Sequence, residues 1–160
     1  MQEDSAFTSL SDVLSLPQFR NKVVYVDVWG TTCTPCMEEL KNFTPKLTAR
    51  YRNSKDMAFL YLCLDRHPIP ELRWKEKLRL LQPEGYHVLI RGGAGERKLA
   101  LEITGEASEG KFFPYLPYYF IVNREGRIVG RQSADPENSE LRPSDGALLY
   151  QRLDSVLASH

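Results

Sequence analysis

The 160-residue chain lacks an excess of either charge: 21 Lys and Arg balance 21 Asp and Glu. With no basic surplus to neutralise phosphates, nucleic acid is not an expected partner. No apolar run approaches the roughly 18 residues that span a bilayer, so any membrane association is expected through a tether outside this chain. There is no block of like charge, no internal repeat and no low-complexity tract, which argues against disorder and repeat architectures. The opening Met1-Gln2-Glu3-Asp4-Ser5 has neither the basic start nor the apolar middle of a secretory signal. The expectation from that end is a cytoplasmic chain or a mature segment behind a new Met1. Three cysteines are too few for a disulfide-stapled scaffold.

What remains is an ordinary globular composition, 42% hydrophobic and 26% charged, at a length that buries about two-thirds of its unfolded surface. The expectation is one domain over 1–160, with 1–20 as an N-terminal extension and 22–158 as the core. Residues 23–29, Val-Val-Tyr-Val-Asp-Val-Trp, are β-branched or aromatic almost throughout, as in a strand covered on both faces. Apolar residues at steps of three and four predict a helix from 33 to about 52, interrupted at Pro45. Strands are expected at 57–64, 86–90, 118–123 and 127–131, the last two joined by the turn Arg124-Glu125-Gly126. Helices are expected near 11–16, at 71–81 and 96–104, and finally at 146–158. Gly92-Gly93-Ala94-Gly95 reads as a flexible turn, since no Gly-Lys-Ser/Thr completes a phosphate loop. Strands alternating with helices imply a parallel core, and the late hairpin adds an antiparallel part. The class is α/β, a central mixed β-sheet flanked by helices.

Cys33-Thr34-Pro35-Cys36 falls where the central strand gives way to a helix. Unpaired N–H groups and the positive end of the helix dipole favour a thiolate there. Two intervening residues, one a Pro suited to the first helical turn, keep the sulfurs within bonding reach. Cys33 is expected to be the exposed attacking sulfur and Cys36 the one that resolves a mixed disulfide. A zinc site would need two further ligands, which Cys63 and His67 supply only by proximity in sequence, so no metal is expected. An inert structural disulfide stays open. Alternation places Tyr25, Asp27 and Trp29 on one strand face and Val24, Val26 and Val28 on the other. Among aromatics Asp27 is expected to be buried, where it would take the proton of Cys36; a hydrogen-bonded structural Asp is the alternative. Pro117 precedes a strand, where proline leaves the ladder intact.

The segment Val26-Asp27-Val28-Trp29-Gly30-Thr31-Thr32-Cys33-Thr34-Pro35-Cys36 resembles the active-site segment of the thioredoxin superfamily. Leu116-Pro117-Tyr118-Tyr119-Phe120-Ile121-Val122-Asn123-Arg124-Glu125-Gly126 is similar to the later segment of TlpA/ResA-like thiol-disulfide oxidoreductases. The resemblance implies a thioredoxin fold with a helical insertion before the strand that Pro117 begins, and with Pro117 in cis against the cysteine pair. It implies catalysis by Cys33, Cys36 and Asp27, with substrate held by Leu116, Pro117, Trp29 and Thr32, the Leu116 backbone pairing with an extended peptide. The dithiol carries both electrons, so no cofactor is implied. The partners implied are a cysteine-containing protein substrate and a thiol-disulfide electron donor, in the periplasm or otherwise outside the cytoplasm. Thr32 stands where a Trp commonly precedes the first cysteine, Gly30 where Ala is frequent, and Thr34 where Gly or Glu is familiar.

Other residues draw plainer expectations. Cys63, in an apolar strand, is expected in the core. Glu38 and Glu39 are expected as solvated carboxylates complementing the helix dipole, with gating of the thiols as the alternative. Phe112, Phe113, Tyr115, Tyr118 and Tyr119 crowd around Pro117, some as core and some as an apolar rim. Two other readings of the chain stand beside the enzyme: a thioredoxin-fold binding module with a structural disulfide, and a peroxiredoxin-like peroxidase. The peroxidase lacks the Pro-x-x-x-Thr-x-x-Cys approach, since Val28 and Gly30 occupy the Pro and Thr positions.

Overall fold

The computed structural model describes residues 2–4, 7–65, 70–104, 115–132 and 140–159. Among these described residues six strands form one sheet: β1 (Gln2–Asp4), β2 (Val23–Trp29), β3 (Met57–Asp65), β4 (Tyr86–Arg91), β5 (Tyr118–Val122) and β6 (Ile128–Arg131). Their order is β1-β4-β3-β2-β5-β6, parallel from β1 through β2 and antiparallel beyond. The β-branched run over 23–29 thus becomes an inner strand, paired with β3 on one side and β5 on the other.

Strand alternation divides the side chains between two cores. Val24, Val26 and Val28 join Leu60, Leu62, Val88, Ile90, Phe120 and Val122 on one face. That face is closed by Leu10 and Val13 of α1 (Leu10–Leu14), and by Leu99, Ala100 and Ile103 of α5 (Gly92–Thr104). Leu10, Val13 and Phe19, which precede β2, therefore belong to the packed body. Tyr25, Trp29, Tyr61, Cys63, Leu89, Tyr119 and Ile121 point the other way. They are covered by α2 (Thr34–Asn42), α3 (Thr44–Tyr51), α4 (Pro70–Leu81) and α6 (Ala147–Ala158). Helices on both faces are what an inner strand with no polar side demands.

The interruption expected at Pro45 is real: α2 stops at Asn42, and Pro45 lies in the first turn of α3, where no N–H is needed. The glycine run corrects the sequence reading. Gly92 through Gly95 open α5 instead of forming a turn. The reason is steric: a Cβ on Gly95 would stand 2.8 Å from Ile90 Cγ2, so glycine lets the helix start directly against β4. Strand β1 was not foreseen, because three polar residues carry no apolar period; its ladder with β4 decides its conformation. The stretch before Pro117 that holds Phe112 and Phe113, together with His67 and His160, lies outside the described residues.

Candidate active site

Helix α2 begins at Thr34, after a four-residue turn from the carboxyl end of β2. Cys33 is its N-cap, and its sulfur accepts the Cys36 N–H at 3.2 Å, the role a Ser or Asp side chain commonly fills. Cys33 and Cys36 are joined by a disulfide with Cα atoms 5.2 Å apart. Cys33 is half-buried, whereas Cys36 is 1% exposed and packs with Trp29, Leu40 and Cys63. Trp29, expected at the substrate groove, is fully buried in one cluster with Cys36, against which Cys33 packs, and is not among the residues lining the concavity beside Cys33. Cys63 is a buried free thiol, its pKa raised chiefly by burial and then by Asp65 and Asp27.

A concavity of about 370 Å³ opens beside Cys33 and is lined by Gly30, Thr32, Leu64, Asp65, Glu96, Tyr115 and Leu116. The Leu116–Pro117 peptide bond is cis. Leu116 is half-buried and Pro117 buried at the start of β5, which pairs with β2. Thr32 is exposed at the rim. At Gly30 a Cβ would stand 3.1 Å from the Leu64 carbonyl oxygen and 3.3 Å from Leu116 Cδ1, so the turn into the site has no room for alanine without a shift. Thr31 donates its hydroxyl to Asp65 at 2.6 Å, joining this turn to the end of β3. A concavity of about 440 Å³ lies at the opposite end of the sheet, against the starts of β3 and β4. Among the described residues no group of three or more His, Cys, Asp or Glu could hold a metal ion.

Two carboxyl groups lie behind the disulfide. Asp27 is 2% exposed on the same strand face as Trp29, and its Oδ1 has no hydrogen-bond partner among the described residues. Burial, with the negative charge of Glu39 second, holds its pKa well above the ordinary carboxylate range. The second is Glu39, and here the expectation of a solvated carboxylate fails. Three residues beyond Cys36, it shares the helix face turned to the sheet and is 8% exposed, while Glu38 is exposed. Its carboxylate accepts the Ser144 N–H at 2.9 Å and the Ser144 hydroxyl, from the 3-10 turn Pro143–Asp145 that precedes α6. Burial raises its pKa, against the bonds from Ser144 and the charge of Arg142, which lower it.

Sequence reasoning passed over Asp65, Glu96 and the burial of Glu39. Asp65 had a usable signal, since it ends an apolar strand parallel to β2, and ligands of such sheets gather at carboxyl ends. Glu39 had one in its three-residue spacing from Cys36. Glu96 had none, because the glycine run concealed the start of its helix.

A thioredoxin-fold sheet with a Cys-x-x-Cys disulfide capping the helix after its inner strand defines the class of thiol-disulfide oxidoreductases. The chain belongs to the redoxin family, whose profile matches residues 4–148. Among solved structures it is similar to the thioredoxin domain of a Bacteroides vulgatus thiol-disulfide oxidoreductase, with 24% identity and a TM-score of 0.57 over 89% of this chain and 84% of that one. A Bacteroides fragilis thiol-disulfide oxidoreductase matches with 21% identity and a TM-score of 0.60, over 89% and 86%. A Chlorobium tepidum protein assigned as the thiol:disulfide interchange protein DsbE matches with 20% identity and a TM-score of 0.62, over 86% and 82%. At these identities the likeness is one of fold. No curated protein sequence matches the chain.

Proposed function

We propose that the protein reduces disulfides in protein substrates outside the cytoplasm. In the reduced enzyme Cys33 is the nucleophile, favoured as thiolate by the N-terminus of α2. Its attack on a substrate disulfide forms a mixed disulfide and expels one substrate thiolate. Asp27 then takes the proton of Cys36, whose thiolate attacks the Cys33 sulfur and releases the second substrate cysteine. Thr32 and Leu116 bound the substrate groove, and the Leu116 backbone offers hydrogen-bonding groups to an extended substrate segment. A second thiol-disulfide protein returns the electrons to the Cys33–Cys36 disulfide. The extracytoplasmic setting is supported by the resemblance to TlpA/ResA-like proteins and by the DsbE assignment of the Chlorobium neighbour. Among the described residues no helix is long and apolar enough to cross a membrane.

The observation that carries this reading is the asymmetry of the pair: a half-buried Cys33 on the wall of a groove, backed by a buried Cys36. Thiol trapping and mass spectrometry across dithiothreitol and glutathione buffers test it. A reversible two-electron transition near about −270 mV is expected for a reductant; one near about −120 mV would make the protein an oxidant. No reversible transition would make the disulfide structural. Cys36→Ser is expected to accumulate a mixed disulfide with substrate through Cys33. A trap that forms only in Cys33→Ser would reverse the two roles.

A further inference from the structure

The chain reaches Cys33 through a turn that its own residues do little to hold. The Cys33 N–H closes the turn on the Gly30 carbonyl at 3.2 Å, which leaves Thr31 and Thr32, both β-branched, at the two central positions. Gly, Pro, Asn, Asp and Ser are the residues that favour such turns. Tertiary contacts hold this one instead. Continuing the β2–β3 register two residues past Trp29 and Cys63 brings Thr31 alongside Asp65. Thr31 is 4% exposed, and its hydroxyl donates to Asp65 Oδ2 at 2.6 Å, the short length of a hydroxyl bound to a carboxylate. Arg73 of α4 places its Nε 3.5 Å from the same Thr31 oxygen. A guanidinium only donates, so the hydroxyl proton is directed to Asp65. Gly30, at the start of the turn, lies so close to the Leu64 carbonyl and Leu116 that a Cβ would not fit without a shift. A valine would fill the Thr31 position equally well, so the hydroxyl is the feature to be explained.

By its charge alone Asp65 works against the site. With Glu96 and Tyr115 it lines the concavity beside Cys33, where negative charge opposes the thiolate that the reaction needs. What favours that thiolate is the N-terminus of α2, and the effect fades within one turn, so the sulfur must stay close to it. In the oxidised protein the disulfide ties Cys33 to α2 through Cys36, and the Cys33 sulfur accepts the Cys36 N–H. Reduction removes the covalent tie just when the thiolate is required. We propose that Asp65 is a positioning residue: through the Thr31 hydroxyl it holds the turn from Gly30 to Cys33 against the end of β3, and so keeps the Cys33 sulfur at the N-terminus of α2 once the disulfide is open. This rests on the reading of Cys33 as the nucleophile. Neither Thr31 nor Asp65 takes part in the exchange of electrons, so the clasp persists in both redox states.

Alkylation of the fully reduced protein by iodoacetamide, followed at Cys33 by mass spectrometry from pH 5 to pH 10, separates two quantities. The midpoint of the rate profile reports how readily the Cys33 thiolate forms, and the alkaline plateau reports how fast it reacts once formed. Thr31→Val is expected to move the midpoint upward, so that alkylation at pH 7 is about three- to tenfold slower while the plateau stays within twofold. Asp65→Ala is expected to show the same pattern. The Thr31→Val/Asp65→Ala double variant is expected to be no slower than the slower single, as for two halves of one contact. Thr31→Ser, which keeps the donor, and Asp65→Asn, which keeps an acceptor without the charge, are expected within twofold of the unaltered protein at pH 7. An unmoved midpoint in Thr31→Val overturns the clasp. So does a midpoint that falls in both Asp65 variants, because Asp65 would then act by its charge alone. A midpoint in the unaltered protein at about 8.5, that of an ordinary thiol, overturns the reading of Cys33 as an activated nucleophile and the clasp with it. If Thr31→Val fails to fold, nuclear magnetic resonance of the unaltered reduced protein decides. A slowly exchanging Thr31 hydroxyl proton supports the clasp; one averaged with solvent overturns it.

Discussion

Asp27 lies between Tyr61 of β3 and Tyr119 of β5, 2% exposed, one carboxylate oxygen without a partner. An apolar side chain there would pack better, so the carboxyl is a cost borne by the folded state. In the unfolded chain it ionises near the ordinary 3.8, whereas burial and the charge of Glu39 keep it protonated to much higher pH in the fold. Across that window the folded protein holds one more proton than the unfolded chain. Stability therefore falls as pH rises above about 3.8 and levels off above the folded value. Asp27→Asn is expected to raise the unfolding free energy of the oxidised protein at pH 8 by on the order of 1–3 kcal/mol, the scale of an unsatisfied buried group. The gain should vanish near pH 3.5. Urea titrations at the two pH values measure it; a variant no more stable at pH 8 would show that Asp27 is solvated or paired in solution. On the proposed role of Asp27 as base the same substitution is expected to slow resolution by Cys36, so one residue would set stability and rate in opposite directions.

At the scale of elements, the site depends on where two helices begin. Helix α2 begins at the cysteine pair because Cys33 can cap it and Pro35 suits its first turn. Helix α5 begins hard against β4 because Gly95 has no side chain, and it carries Leu99, Ala100 and Ile103 into the core and Glu96 to the groove wall. Gly95→Val would drive carbon atoms into Ile90. It is expected to cost about 1–3 kcal/mol by overpacking, measured as a lower denaturant midpoint with an unchanged slope. Gly126 is the contrast. Its φ is +82° in the β5–β6 turn and nothing stands within 4 Å of its would-be Cβ, so Gly126→Asn, which tolerates that backbone, should cost well under 1 kcal/mol. Equal losses at both positions would mean that Gly95 serves the backbone and not the packing.

For the molecule as a whole, His87 contributes a pH dependence opposite in sign to that of Asp27, weakening the fold in acid. His87 on β4 is fully buried, stacked on Tyr61 at 4.5 Å, with Nε2 2.8 Å from the Pro83 carbonyl oxygen and Nδ1 unpaired among the described residues. Nε2 therefore carries the proton of the neutral ring and donates it. Burial lowers the imidazole pKa from 6.5 to about 4, against the Pro83 bond, which raises it. Between those values the unfolded chain binds the extra proton, so stability is lost as pH falls from about 6.5 to about 4. The separation corresponds to about 3 kcal/mol at 1.36 kcal/mol per pH unit. His87→Phe is expected to flatten that acid limb. Thermal melts from pH 7 to pH 4 that decline as steeply in the variant would assign the loss to other groups.

Much of this was legible in the chain itself. Alternation within 23–29 specified which side chains face which core, because the strand period is two regardless of surroundings. The Cys-x-x-Cys pair after that strand specified the chemistry, because capping and dipole act within one turn. What sequence could not decide was set by distant packing. Trp29 is fully buried in the cluster with Cys36, because α2 and α4 close over that face. Glu39 is buried because residues 143–145, over a hundred positions away, fold back to bind it. Gly92 through Gly95 are helical because β4 lies alongside. Periodicity and caps are local and travel with the sequence; burial of a polar group depends on what the rest of the chain places above it, and only the tertiary structure supplies that.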